Sequence, residues 1–398
     1  MQRRQFIRRS IAAGAVLPLA TGRATLLAAP DAPARVLVVF LRGGYDATSL
    51  LVPSSSGFYY EQRPNIAVAR PGTAADAALP LDGDWSLHPA LRDSVLPLFE
   101  KKQAAFIPFA GTDDTSRSHF ETQDSIELGQ PLQGRRDFQS GFMNRLAAVL
   151  GARDAIAFTD QLPLVFRGSM PVPNLALNSI GRSGIDPRQS TIIAAMYQGS
   201  RFGNAVSEGF ETRSQATQAL AGEMVEANRN AITAKGFEGE ARRIGRLMRE
   251  RYDLAFVDVG GWDTHVGQGS GTGYLANRLG ELGKGLAAFA EESGAAWGRS
   301  VVIVLSEFGR TFKENGNRGT DHGHGSVYWA LGGAVRGGRV AGEQVAVAPG
   351  FLFQNRDYPV LNEYRAVLGG VFARLYGLSP AQVQQVFPAS TAKDIGLV

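Results

Sequence analysis

The sequence predicts a three-layer α/β/α sandwich with a central, mostly parallel sheet. Three observations point to it. Short, continuous apolar runs rich in β-branched residues recur along the chain, as in strands covered on both faces. Helical patterns separate those runs, as in βαβ crossovers. Histidine and carboxylate gather in the loops that follow the runs, where sheets of this kind bind ligands.

The first run, Arg35–Leu41, ends at Gly43-Gly44 and reads as a buried, central, parallel strand. A helix-like stretch over 88–102 leads to a second run at 104–109. Leu254–Val259 is a third, ending at Gly260-Gly261. Residues 300–305 form a fourth and 327–331 a fifth. Helical patterns cover 142–150, a long stretch from about Thr212 to Arg251, then 274–292 and 363–376. Residues 70–78 read as an exposed low-complexity loop, and 152–209 as an insertion or cap in a single domain spanning 35–398.

The chain opens Met1-Gln2-Arg3-Arg4-Gln5-Phe6-Ile7-Arg8-Arg9, a twin-arginine pattern. An uncharged stretch from Ser10 to Gly22 and the small residues Ala28-Ala29 before Pro30 complete an export signal over 1–29. The expected address is periplasmic or secreted, reached through the twin-arginine translocase. Residues 1–29 hold five arginines and no acid, so their removal takes the net charge from +4 to −1. The remainder carries no basic arm or basic-aromatic stripe, which argues against nucleic acid as a partner. No later segment reaches about 18 uninterrupted apolar residues, so no membrane span is expected. The chain has no cysteine, which excludes disulfides, thiolate metal sites and a cysteine nucleophile.

The five histidines are His88, His119, His265, His322 and His324. Four follow predicted strands, each in a loop with a carboxylate. The loops read Gly111-Thr-Asp-Asp-Thr-Ser116-Arg117-Ser118-His119, Gly260-Gly-Trp-Asp263-Thr-His265 and Ser306-Glu307-Phe-Gly-Arg310, the last continuing to Gly319-Thr-Asp321-His322-Gly-His324. Histidine with carboxylate suits Zn²⁺, Mn²⁺ or a similar divalent ion. Asp46, after the first strand, reads either as a ligand or as a turn residue or helix cap. Ser118-x-x-Glu121 is a capping box; a helix start also holds oxyanions, so the two readings coexist. His88, before Pro89 and a helical stretch, reads as structural.

At these residues the chain resembles domain-of-unknown-function family 1501, from about Arg35 to the C-terminus. The resemblance rests on the twin-arginine start, Phe40–Asp46, Arg117-Ser118-His119-Phe120, Gly260–His265, Ser306–Thr311 and Gly319–Gly323. That family is similar in organisation to the alkaline phosphatase and sulfatase superfamily. The resemblance implies one or two divalent ions, Zn²⁺ first, with Ca²⁺, Mg²⁺ or Mn²⁺ as alternatives. Their ligands would come from Asp46, Asp263, His265, Glu307, Asp321, His322 and His324. It implies Ser118 as nucleophile, with Ser116 as its rival. It also implies an exported partner protein. The sequence departs from the superfamily pattern in three places, one of them the absence of the Cys or Ser sequence expected around a sulfatase nucleophile. One residue separates Asp263 from His265 where several are usual, and Glu307-Phe308 stands where an Asp-His pair is usual.

The expected activity is hydrolysis of phosphate or sulfate esters of a small molecule or glycan. Arg117 or Arg310 would hold non-bridging oxygens, and His119 would orient the leaving group or bind metal. The alternatives are a non-catalytic envelope or carbohydrate-binding protein that keeps the fold, and, more remotely, a mutase or phosphonate-cleaving enzyme.

Overall fold

The central strand, β1 (Arg35–Leu41), is buried along its whole length, as its unbroken apolar run requires. A computed structural model describes residues 33–177, 193, 195–204, 206–207 and 236–398. The export signal expected over 1–29, and the helix expected from Thr212 up to residue 235, lie outside the described residues.

The other strands of the main sheet are β2 (Ala104–Gly111), β3 (Ala155–Phe158), β4 (Leu254–Val259), β5 (Ser300–Ser306), β6 (Ser326–Leu331), β7 (Arg339–Val340) and β8 (Asn362–Glu363). Their order is β7-β2-β6-β5-β1-β4-β3, with β8 also paired to β2. β1 runs parallel to β4 and β5 in unbroken register, with Val36 opposite Leu254 and Val301. β6 alone runs antiparallel to both of its neighbours, β2 and β5. The sheet is therefore mostly parallel, as predicted.

The alternation of side chains in β1 separates two apolar layers. Leu37, Val39 and Leu41 join one, covered by α3 (Phe237–Glu250) and α4 (Tyr274–Ser293) through Ile244, Leu279 and Leu286. Val36, Val38 and Phe40 join the other, covered by α2 (Phe142–Val149), α5 (Tyr364–Tyr376) and α6 (Pro380–Val386) through Leu146, Leu368 and Val386. The remaining helix of consequence is α1 (His119–Leu128). Among the described residues no helix is long and apolar enough to cross a membrane.

Three expectations change. Residues 152–209 do not begin as an insertion, because Ala155–Phe158 forms the edge strand β3 on β4. The stretch 88–102 is broken into a 3₁₀ turn, Pro89–Leu91, and a short helix, Leu96–Glu100. The loop 70–78 is exposed only as far as Asp76; Ala77 and Ala78 are buried.

The antiparallel direction of β6 places the site. Chain leaving the carboxyl end of β5 enters β6 at that same edge, so residues 307–325 never cross to the other side. The carboxyl ends of β1, β2 and β4 open at that edge too, which brings the loops after four strands together.

Candidate metal centre

Ser118 starts α1 as its N-cap, accepting the Glu121 N–H at 3.5 Å. His119 thus becomes the first helical residue and turns its ring toward the loop after β5. There Nδ1 lies 2.8 Å from Glu307 Oε1. Glu307 is buried and also accepts from the Gly43 N–H, the Gln123 amide and the Ser306 hydroxyl, each at 2.8 Å. Burial raises its pKa, but the bonds from His119 and Gln123 outweigh it and hold the carboxyl below its usual range. An ionised carboxylate only accepts, so His119 Nδ1 carries a proton. The bond to Glu307 raises the His119 pKa. The other nitrogen, Nε2, faces Asp263 Oδ2 at 3.6 Å.

His322 repeats the arrangement. Its Nδ1 lies 3.0 Å from the Arg117 carbonyl oxygen, which can only accept. Its Nε2 lies 3.3 Å from Asp263 Oδ1. His265 repeats it again, with Nδ1 3.1 Å from Asp321 Oδ1 and Nε2 3.0 Å from Asp263 Oδ1. The facing nitrogens of His265 and His322 are 3.2 Å apart. Three histidines therefore have Nδ1 occupied by an acceptor and direct Nε2 toward one carboxylate. Among the described residues, His119, Asp263 and His322 form the group whose ligand atoms all lie within 4.8 Å of one another.

This set fits a divalent ion. Two Nε2 lone pairs 3.2 Å apart beside a carboxylate repel unless a proton or a metal cation lies between them. Tetrahedral zinc with bonds near 2.05 Å separates its ligand atoms by about 3.3 Å. Four of the separations here are of that size: His265 and His322 lie 3.0 and 3.3 Å from Asp263 Oδ1, His119 lies 3.6 Å from Asp263 Oδ2, and His265 and His322 are 3.2 Å apart. Ligand histidines that donate their other ring N–H to a carboxylate or carbonyl are the usual pattern at zinc. Nitrogen-rich donors favour zinc over Ca²⁺ or Mg²⁺.

Two glycines and one aromatic ring shape the floor. Phe308 packs on His119 and His322, with ring centroids 4.9 and 5.1 Å apart. A Cβ on Gly43, at φ +124°, would come within 2.8 Å of the Asp263 backbone nitrogen. A Cβ on Gly44, at φ +62°, would strike the Phe308 ring. The Gly-Gly pair after β1 is thus required by close approach as well as by backbone conformation.

Arg310 lies beside the cluster with its side chain fully buried and Nη2 2.8 Å from Asp263 Oδ1, an ion pair. Its Nε and Nη1 have no hydrogen-bond partner among the described residues. Burial lowers the Arg310 pKa, opposed by Asp263. Burial raises the Asp263 pKa, but Arg310 and His265 outweigh it and hold the carboxyl low. A buried guanidinium fork with unused N–H groups is suited to oxygens of an anion.

Other expected residues lie elsewhere. Asp46 is fully buried, and its carboxylate is taken by Arg63 at 2.6 and 3.0 Å, Ser49 at 2.7 Å and Gln268 at 2.7 Å. It belongs to a buried ion pair rather than to the histidine cluster. Glu307 and Asp321, expected as ligands, instead meet the far nitrogens of His119 and His265. His324 packs its ring on Phe353, with centroids 4.8 Å apart. Arg117, expected to grip substrate oxygens, commits its guanidinium to Asp357 and Gln354. Ser116 is exposed, and its Oγ accepts the Ser118 N–H at 3.3 Å. His88 is structural, as expected: its Nδ1 accepts the Ala90 N–H and its Nε2 meets the Ser270 carbonyl. Arg63, Gln123 and Asp357 were not singled out in the sequence. Of these only Gln123 carries a local signal, sitting four residues after His119 on the same helix face.

A family model described as Protein of unknown function (DUF1501) matches residues 33–387. No curated protein matches the chain. Among solved structures, the chain is similar to a protein in the alkaline phosphatase superfamily from Vibrio parahaemolyticus, with TM-score 0.36 and 11% identity over 76% of this chain. It spans 60% of that protein's length. It is also similar to the lipoteichoic acid synthase LtaP from Listeria monocytogenes, with TM-score 0.38 and 10% identity, covering 91% of this chain and 75% of that one. A third likeness is to Ps i-CgsB in complex with k-i-k-neocarrahexaose, with TM-score 0.34 and 10% identity, covering 88% and 74%.

Proposed function

We propose that this chain, which belongs to the DUF1501 family, is an exported metal-dependent hydrolase of phosphate or sulfate esters. The observation that carries the reading is the convergence of His119, His265 and His322 on Asp263, each with its far nitrogen already bonded. A divalent ion held there would polarise an ester oxygen or lower the pKa of a bound water or hydroxyl. Arg310 would take the non-bridging oxygens through Nε and Nη1. Ser118 lies between Arg117, whose carbonyl holds His322, and His119; in this reading its Oγ attacks phosphorus or sulfur, the alcohol departs with the hydroxyl proton, and water then hydrolyses the seryl ester, releasing phosphate or sulfate and restoring Ser118. The substrate is a small-molecule or glycan ester. The segment 1–29 would direct the folded protein through the twin-arginine translocase, and replacing Arg3 and Arg4 by lysine should then retain it in the cytoplasm.

Elemental analysis of the purified protein, combined with turnover of aryl phosphate and sulfate esters, tests the reading. Bound zinc with turnover, lost in Ser118→Ala while the metal is retained, is the expected result. Tight metal with no turnover on any ester would favour a non-catalytic binding protein instead. Activity that survives Ser118→Ala would remove the serine nucleophile.

A further inference from the structure

Arg117 has its backbone at φ +54°, in the left-handed region. For a residue other than glycine this costs about 1–2 kcal/mol, so something must hold it there. The conformation aims the Arg117 carbonyl at His322 Nδ1, 3.0 Å away. Its side chain runs to Asp357, where Nε and Nη2 lie 3.0 and 2.6 Å from Oδ2, and Nη2 also donates to Gln354 Oε1 at 2.7 Å. The Asp357 side chain is fully buried. Its backbone is fixed by paired bonds with Phe353, at 2.9 and 3.1 Å, and by a bridge to Thr311. Thr311 in turn follows Arg310, which bridges to His322.

We propose that Asp357 is a positioning residue that sets the tautomer and direction of His322 through Arg117; its bearing on catalysis rests on the metal-centre reading above. Clamped at its guanidinium, Arg117 keeps its strained backbone and its carbonyl stays on His322 Nδ1. That carbonyl accepts only, so the proton stays on Nδ1 and the Nε2 lone pair faces Asp263 and His265. Released from Asp357, Arg117 would relax toward an ordinary φ, withdraw the carbonyl and leave the His322 tautomer unassigned.

Long-range proton–nitrogen correlation spectra of the metal-free full chain at alkaline pH report histidine tautomers directly. The native chain should show His322 with its proton on Nδ1. Asp357→Ala and Arg117→Ala should each give His322 a mixed tautomer, and should weaken Zn²⁺ binding by about 10- to 100-fold. Arg117→Gly removes the same clamp but carries no strain at φ +54°, so it should keep its carbonyl on His322 Nδ1, which separates relief of strain from loss of the fold. A His322 that keeps its proton on Nδ1 in both Asp357→Ala and Arg117→Ala would overturn the proposal. A native chain that binds no Zn²⁺ would overturn the metal reading, while the tautomer result would still decide the role of Asp357.

Discussion

His119 Nδ1 and Glu307 Oε1 lie 2.8 Å apart, and this bond decides which nitrogen of His119 faces Asp263. Glu307 has no exposed side-chain surface and serves donors from the loop after β1, from α1 and from the end of β5 at once. Glu307→Gln keeps an acceptor oxygen but removes the charge, so it should fold with near-native stability and bind zinc about tenfold more weakly. Glu307→Ala leaves buried donors unmatched and should cost about 3 kcal/mol or more. Urea unfolding and zinc titration separate the two effects.

Asp46 and Arg63 form a fully buried pair at 2.6 Å. Burial raises the Asp46 pKa, but Arg63 outweighs it and keeps the carboxyl ionised. Arg63 also donates to the Phe312 and Thr311 carbonyls. Removing one partner strands the other, so Arg63→Ala or Asp46→Ala should lose about 3–5 kcal/mol. Zinc stoichiometry of the folded Asp46→Ala fraction should match the native value. A loss of zinc in that fraction would put Asp46 back among the ligands.

His88 makes stability depend on pH. Burial pushes its pKa down from 6.5 to about 4. Between those values the unfolded chain binds more protons than the folded one, so acid favours unfolding. The contribution is complete above about 6.5, falls as the pH drops and is gone by about 4. The size of the shift corresponds to roughly 3 kcal/mol. Urea unfolding from pH 7 to pH 4 should therefore show a slope that His88→Gln flattens. An unchanged slope would mean that His88 takes up its proton at the same pH in the folded and the unfolded chain.

Gly43 touches the loop that carries Asp263. Gly43→Ala would place a methyl against the Asp263 nitrogen at 2.8 Å and strain a φ of +124°. It should cost about 1–3 kcal/mol and weaken zinc binding as well. Denaturation and zinc titration of that variant check both effects. Native stability would show that the two loops are free to separate.

Much of the fold was legible because apolar runs covered on both faces advertise themselves: Arg35–Leu41 and Leu254–Val259 match their strands end to end. Ala155–Phe158 was not legible, being four residues long and half alanine. The antiparallel direction of β6 was also hidden, since a buried run reads the same both ways. In the site, His119, Asp263, His265 and His322 were visible as loop residues after strands. Whether a carboxylate would touch an ion or the back of a histidine depends on ring orientation, so Glu307 and Asp321 were placed in the right cluster but on the wrong side of it. Asp46 misled because Gly-Gly-Tyr-Asp carries the same signal whether the carboxylate turns outward or inward. Here it turns inward, to an arginine 17 residues away. Asp357 carries no local pattern at all; its partner Arg117 is 240 residues distant.

Calorimetric titration of Zn²⁺ into the chelator-stripped protein, alongside Asp263→Ala and His322→Ala, tests the metal centre most directly. The native chain should bind zinc tightly, and both folded variants should lose that binding. Equal binding by the variants, or none by the native chain, would contradict a metal held between His119, Asp263, His265 and His322.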